Sequence, residues 1–435
     1  MSIRRTNLAA PAVLSCAALV LTACGGSTGG DTAEQSGQVQ QFTGRGPITY
    51  VAGKDTTGTI QDQIDIWNKM HPDEKVTFVE LPTDADAQRQ RMIQSAETES
   101  DAFSVLSLDV VWTSEFAANR WVEPLPENEF PVDDYLQPAY ETGLYRGQMY
   151  SVPFNGDGGL LYYRTDLMKK AGISEPPQTW DEMQAQCDKI LKLPEAQGAS
   201  CFAGQFDKYE GLTVNFSEAI NSAGGTVTDA SGNPHLDTPE AQEGLDTLVQ
   251  GFESGMIPKE AITYTEVEGQ EAFQAGDLVF HRQWPYQYAL ANATDGSSEV
   301  AGQFDVAPLP GIGQPGGVSS LGGHNLAISS YAKNKATALD FVKWFSSEKS
   351  QRVQLNVNSL APTIESIYDD PALIKKFPYL PELKESIQTA EPRPRMVEYG
   401  DATAAIQEAA YGAITGEISS EEALKQLQGQ LAGMR

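Results

Sequence analysis

Several stretches of this chain set aromatic rings beside groups that hydrogen-bond strongly. Asp109-Val110-Val111-Trp112 follows a short apolar run, and Asn155-Gly156-Asp157 precedes Leu160-Leu161-Tyr162-Tyr163-Arg164. Trp284-Pro285-Tyr286, Gly322-Gly323-His324 and Arg393-Pro394-Arg395 follow later. A pyranose ring needs this mixture. Its C–H faces lie on aromatic rings, and its hydroxyls take planar bidentate partners such as carboxylates and guanidinium groups. Glycines let backbone groups come close. Each stretch also has an ordinary structural reading. Trp112 suits a core as well as a ligand, Gly322-Gly323 suits a turn, and Arg393 suits a surface ion pair. Tyr162 and Tyr163 alternate, so one of them faces a core. Trp121, Trp180 and Trp344 read as core packing.

Catalytic patterns are missing from the sequence. There is no G-x-S-x-G elbow, no H-E-x-x-H, no P-loop and no dinucleotide glycine fingerprint after a strand. The four histidines, His71, His235, His281 and His324, have neither catalytic partners nor metal-ligand spacing. No catalytic residue, metal or cofactor is therefore expected. A glycosidase needs only two carboxylates, so that class stays open as an alternative.

The elements that would position these residues alternate between strand and helix. Strands are expected at 48–52, 76–81, 107–112, 160–163, 278–282, 304–307 and 325–329. Helices are expected at 59–71, 86–97, 165–171, 335–345, around 403–411 and at 421–431. Thr179 with Glu182, and Ser419 with Glu422, read as capping boxes. Thr238-Pro239 reads as a helix start with proline at the first position. Such alternation predicts an α/β architecture, with sheets covered by helices on both faces.

Acids outnumber bases, 59 to 30, for a formal net charge of −29. This argues against nucleic acid and anionic lipid as partners. The N-terminus carries an export signature. Arg4 and Arg5 precede the apolar run Leu8–Leu21, and Leu21-Thr22-Ala23-Cys24 closes it. The run is too short for an ordinary membrane span. The pattern resembles a bacterial lipoprotein signal. It implies a signal peptide at 1–23, lipidation of Cys24 and anchoring on the extracytoplasmic face of the cell membrane through the lipid alone. Residues 24–46, rich in Gly, Ser, Thr and Gln, read as a flexible tether of roughly 25 Å root-mean-square span. With Cys24 lipidated, Cys187 and Cys201 remain as a pair in an oxidising compartment. A bridge there contributes about 3 kcal/mol in the chain-entropy model.

Segments spanning nearly the whole chain after the signal resemble the extracellular solute-binding proteins of carbohydrate ABC importers, trehalose/maltose-binding branch. They are LDVVWTSEFAANRWVEPL from Leu108, VPFNGDGGLLYYRTDLMKKAG from Val152, PPQTWDEM from Pro176, AINSAGG from Ala219, EAFQAGDLVFHRQWPYQYA from Glu271, GGHNLAIS from Gly322 and RPRMVEY from Arg393. The resemblance implies a periplasmic-binding-protein-like fold of two α/β lobes, discontinuous in sequence and joined by a hinge. The lobes are expected at 47–153 plus 316–358, and at 154–315 plus 359–435. It implies a monomer that binds an α-linked glucose disaccharide and delivers it to ABC permease subunits. Another oligosaccharide or a polyol is the alternative ligand. Carried over by position, Asp109, Asn155 and Asp157 meet hydroxyls, Trp284 stacks under a ring, Gly322 and Gly323 offer backbone, and Arg393 spans hydroxyls. Glu266, Asp55 and Arg89 are further candidates. His324 stands where some relatives carry tryptophan.

Overall fold

The computed structural model describes residues 42–55, 58–229, 231–394 and 396–434. The signal segment, Cys24, the tether as far as residue 41, and Arg395 lie outside the described residues. Among the described residues nine strands build two main sheets. The first takes β1 (Ile48–Ala52), β2 (Val76–Glu80), β3 (Val105–Asp109), β6 (Ser151–Gly158) and β11 (Leu321–Ile328), in the order β2-β1-β3-β11-β6. The second takes β7 (Leu160–Arg164), β8 (Ser200–Ala203), β9 (Leu278–Gln283) and β10 (Phe304–Ala307), in the order β10-β7-β9-β8. A small hairpin, β4 (Leu144–Tyr145) with β5 (Gln148–Met149), stands apart.

β1 to β3 run parallel; β1 and β3 are mostly buried and largely apolar, while β2 at the sheet edge is largely uncovered and carries Thr77 and Glu80. On one face Tyr50 packs on Phe341 and Phe345, and Phe345 stacks on Phe154 with centroids 4.8 Å apart. On the other, Leu106 and Leu108 join Met92, Trp112 and Phe116 in a separate core, so Trp112 is a core residue. In the second sheet Tyr162 packs with Phe273 and Phe304, while Tyr163 is only partly buried. The result is a two-lobed α/β fold, each sheet forming the centre of one lobe.

Where the elements differ from expectation, the reasons are local. The strand expected at 107–112 ends at Asp109, because the Asp109 carboxylate accepts the Val111 N–H at 3.1 Å and turns the chain. The strand expected at 325–329 begins four residues earlier and absorbs Gly322-Gly323, which are therefore not a turn. β6 is not among the expected strands, yet all eight of its residues are buried. Thr179 caps its helix, but Glu182 reaches back to the Gln178 N–H (2.8 Å). Ser419 caps too, while Glu422 accepts from Gln426. The complete capping box is Thr265 with Glu268.

The passages between sheets also shift. β6 pairs with β11 as far as Gly158, so the passage expected at 153/154 falls at Gly159. Residues 359–388, expected with the second lobe, stay on the first sheet. The Leu136 N–H donates to the Thr363 carbonyl, Thr363 Oγ1 donates to the Pro153 carbonyl, and the helix Leu380–Gln388 packs on β6. Cys187 and Cys201 are buried and paired, with Cα atoms 5.5 Å apart, tying the helix Trp180–Ile190 to β8. Among the described residues no helix is long and apolar enough to cross a membrane.

Candidate functional site

Strand register assembles the site. In the antiparallel ladders His324 on β11 pairs with Asp109 on β3 and with Asn155 on β6. Directly paired residues point to one face, so these three side chains form a row across three strands. Two residues along β11, Gly322 pairs with Asp157, and Asn155 Nδ2 donates to Asp157 Oδ2 at 2.8 Å. Gly323 holds φ at +108°, and a Cβ there would lie 2.1 Å from the Asn155 carbonyl oxygen. Only glycine allows the two strands this approach.

Arg393 ties the row to the other lobe. Its side chain is 1% exposed; Nη2 donates to Asp109 Oδ1 at 2.8 Å and Nη1 donates to Glu210 Oε1. Glu210 opens the buried helix Glu210–Ser222 and also accepts from the Tyr399 hydroxyl and from Thr403 Oγ1 (2.7 Å). An anionic side chain suits that helix end. Arg393 Nε is buried with no hydrogen-bond partner. A buried N–H without an acceptor costs free energy that a hydroxylated ligand can recover.

Trp284 follows β9 and is partly buried. Its benzo edge stands against Gly322, where a Cβ would come within 2.8 Å of the ring. Glu266, at the start of the helix Glu266–Ala275, accepts from the Tyr209 hydroxyl at 2.7 Å. Glu266 is raised by burial, against donors from Tyr209 and the Trp284 side chain. Burial lowers His324, with Asp109 pulling it up and Arg393 pushing it down. The Asp157 carboxyl is pushed up to about 7, by burial first, with the Asn155 hydrogen bond and Arg282 working the other way. Among the described residues no group of three or more His, Cys, Asp or Glu is placed to hold a metal.

The structure thus brings Asp109, Asn155, Asp157, His324, Gly322 and Gly323 together on one sheet, with Trp284 and Arg393 meeting them. Asp55 is engaged elsewhere: it accepts the backbone N–H groups of Ile60 (2.9 Å) and Gln61 (3.2 Å) at the start of the helix Thr59–Met70. Arg89 makes a bidentate pair with Glu115, its guanidinium lying against Gly400 next to Tyr399. Sequence reasoning missed Glu210, Tyr399, Tyr209, Glu218 and Arg282. Glu218 lies in the helix Glu210–Ser222, every residue of which is buried, and its charge is met by Arg282; the sequence carries no local signal for that burial.

The raised Asp157 carboxyl sets a pH dependence. Between about pH 4 and about 7 the folded chain holds a proton that the unfolded chain has released. Its contribution to stability is therefore full at about pH 4 and falls as pH rises through about 7. In urea unfolding, wild type is expected to lose stability relative to Asp157→Asn across that window. A constant difference between the two proteins would contradict the assignment.

Residues 51–352 match the family model described as bacterial extracellular solute-binding protein. A probable ABC transporter-binding protein of Deinococcus radiodurans is 33% identical over 371 residues, covering 83% of this chain and 86% of its own length. A mannitol-binding protein of Pseudomonas aeruginosa is 24% identical over 390 residues, covering 83% of this chain and 87% of its own. Among solved structures, maltose-bound T. maritima MalE3 superposes with a TM-score of 0.83 at 31% identity, covering 88% of this chain and 98% of its own. The chain belongs to the bacterial extracellular solute-binding proteins, which bind their solutes and are not enzymes.

Proposed function

We propose that this chain is the sugar-capturing component of an ABC importer, and that it holds an α-linked glucose disaccharide of the trehalose/maltose class between its lobes. The observation that carries this reading is the three-strand row. Asp109, His324 and Asn155 stand side by side with Asp157 next to them, facing an indole whose edge meets the backbone at Gly322. Carboxylates and an arginine serve vicinal hydroxyls, and the indole serves a ring face. The likeness to maltose-bound MalE3 supports a glucoside. The mannitol-binding relative supports a polyol as the second reading. The two-carboxylate hydrolase alternative is set aside with membership of a family that binds without catalysis.

In this reading the lobes part at Gly159, at Ser319-Ser320 and between the helices Leu380–Gln388 and Tyr399–Ile414. They close around the sugar, and the closed form engages ABC permease subunits. Closure follows from the ligand's greater affinity for the closed state. Asp109, Asn155, Asp157, Gly322, Gly323, His324 and Arg393 contact hydroxyls, Trp284 stacks, and Glu266 closes the second-lobe side. Lipid on Cys24 keeps the protein at the extracytoplasmic face as a tethered monomer.

Calorimetric titration with trehalose, maltose, maltotriose, sucrose and mannitol is expected to give micromolar or tighter binding to an α-glucosyl disaccharide. Trp284→Ala should weaken it about fivefold to 150-fold, the loss of about 1–3 kcal/mol of stacking and burial. Saturation by mannitol alone would favour the polyol, and sugar cleaved on long incubation would overturn a binding-only role. Intact mass of protein extracted from membranes reads both cysteine assignments. Acyl mass on Cys24 and two hydrogens gained on reduction are expected; an unmodified Cys24, or no change on reduction, would remove the corresponding assignment.

A further inference from the structure

Resting on the stacking role just proposed for Trp284, we infer that Arg282 is a positioning residue for that platform: it closes one face of the indole and fixes the ring to the two chain passages beside it. Arg282 lies two residues before Trp284, at the end of β9, and its guanidinium carbon is 3.8 Å from the indole ring centroid. That distance is a direct stack of cation on ring. The arginine is 2% exposed. Each of its three nitrogens donates to a side chain away from the ring. Nε donates to Glu218 Oε2 at 2.8 Å, Nη2 to Glu218 Oε1 at 2.5 Å, and Nη1 to Gln205 Oε1 at 3.1 Å. A bidentate carboxylate fixes the plane of the guanidinium as well as its position, and the plane is what backs the indole.

The same pair holds both passages. Glu218 Oε1 accepts the Ser320 N–H at 3.0 Å, on the strand entering β11. Gly159 lies between β6 and β7; a Cβ there would sit 2.7 Å from Arg282 Nη2 and 2.9 Å from Glu218 Oε1. Its N–H donates to Ser319 Oγ at 2.6 Å. The platform therefore takes its orientation from the crossings themselves. With Arg282 over one face and Gly322 at the benzo edge, the opposite face is the one left for a ring. A fold-stabilising role alone would not require the stack, because a buried ion pair is commonly replaceable by apolar side chains of similar volume.

A double-mutant cycle on the dissociation constant of the tightest sugar tests this. Arg282→Lys keeps the charge but loses the plane and the bidentate pair. It is expected to weaken binding about tenfold when Trp284 is present and by less than about twofold in a Trp284→Ala background. Glu218→Gln provides a second route that keeps an acceptor on the guanidinium. It should show a smaller loss with the same dependence on Trp284, and thermal melts confirm folding of each variant. Equal weakening in both backgrounds, or none with Trp284 present, would overturn the inference while leaving the stacking role intact. Full affinity in Trp284→Ala alone would remove the stacking role, and the inference with it.

Discussion

Arg393 is a buried cation shared between Asp109 and Glu210, and much of the site follows from that arrangement. A guanidinium this deeply buried needs anionic partners, and losing one costs about 3–5 kcal/mol. The two partners come from different places: Asp109 from the end of a strand in the first sheet, Glu210 from a helix of the second lobe. Moving the lobes apart must separate the arginine from one of them, so the pair opposes opening. The orphaned Nε gives that arginine a reason to accept a hydroxylated ligand, because a hydroxyl oxygen supplies the missing acceptor. Electrostatics and ligand chemistry then favour the same closed arrangement.

A second buried pair, Arg282 with Glu218, does comparable work for geometry. It lies at Gly159 and Ser320, between the two sheets, and it backs the indole that meets Gly322. Arg393 links the lobes through charge, while Arg282 links the platform to the crossings through shape. The glycines of this region are consistent with that division. Gly159, Gly322 and Gly323 each stand where a Cβ would strike the pair, the indole or the neighbouring strand.

Much of the architecture is legible in the residues, and what is hidden has physical causes. β1 shows itself as a short β-rich run, and β7 through the apolar Leu160-Leu161 and the alternating tyrosines. β6 does not, because Pro153, Asn155, Gly156 and Asp157 carry turn chemistry that tertiary pairing with β11 overrides. Asp109 and Asp157 are visible as acids beside aromatics. Their alignment with His324 and Asn155 is not, because register is a property of two strands and a bulge. Glu210 is invisible for a related reason: its partner Arg393 is 183 residues away. Asp55 shows the converse. It sits in a loop of suitable composition, yet the N–H groups at a helix start take its carboxylate.

The proposed site holds a sugar between the Asp109–Asp157 side of the first sheet and the Trp284–Arg393 side of the cleft. A crystal structure of the protein with its tightest-binding disaccharide tests it most directly. One glucose ring is expected on the open face of Trp284, with hydroxyls within hydrogen-bond distance of Asp109 and Asp157 and an oxygen facing Arg393 Nε. A sugar bound elsewhere, or in the cleft with none of these four side chains touching it, would rule this site out.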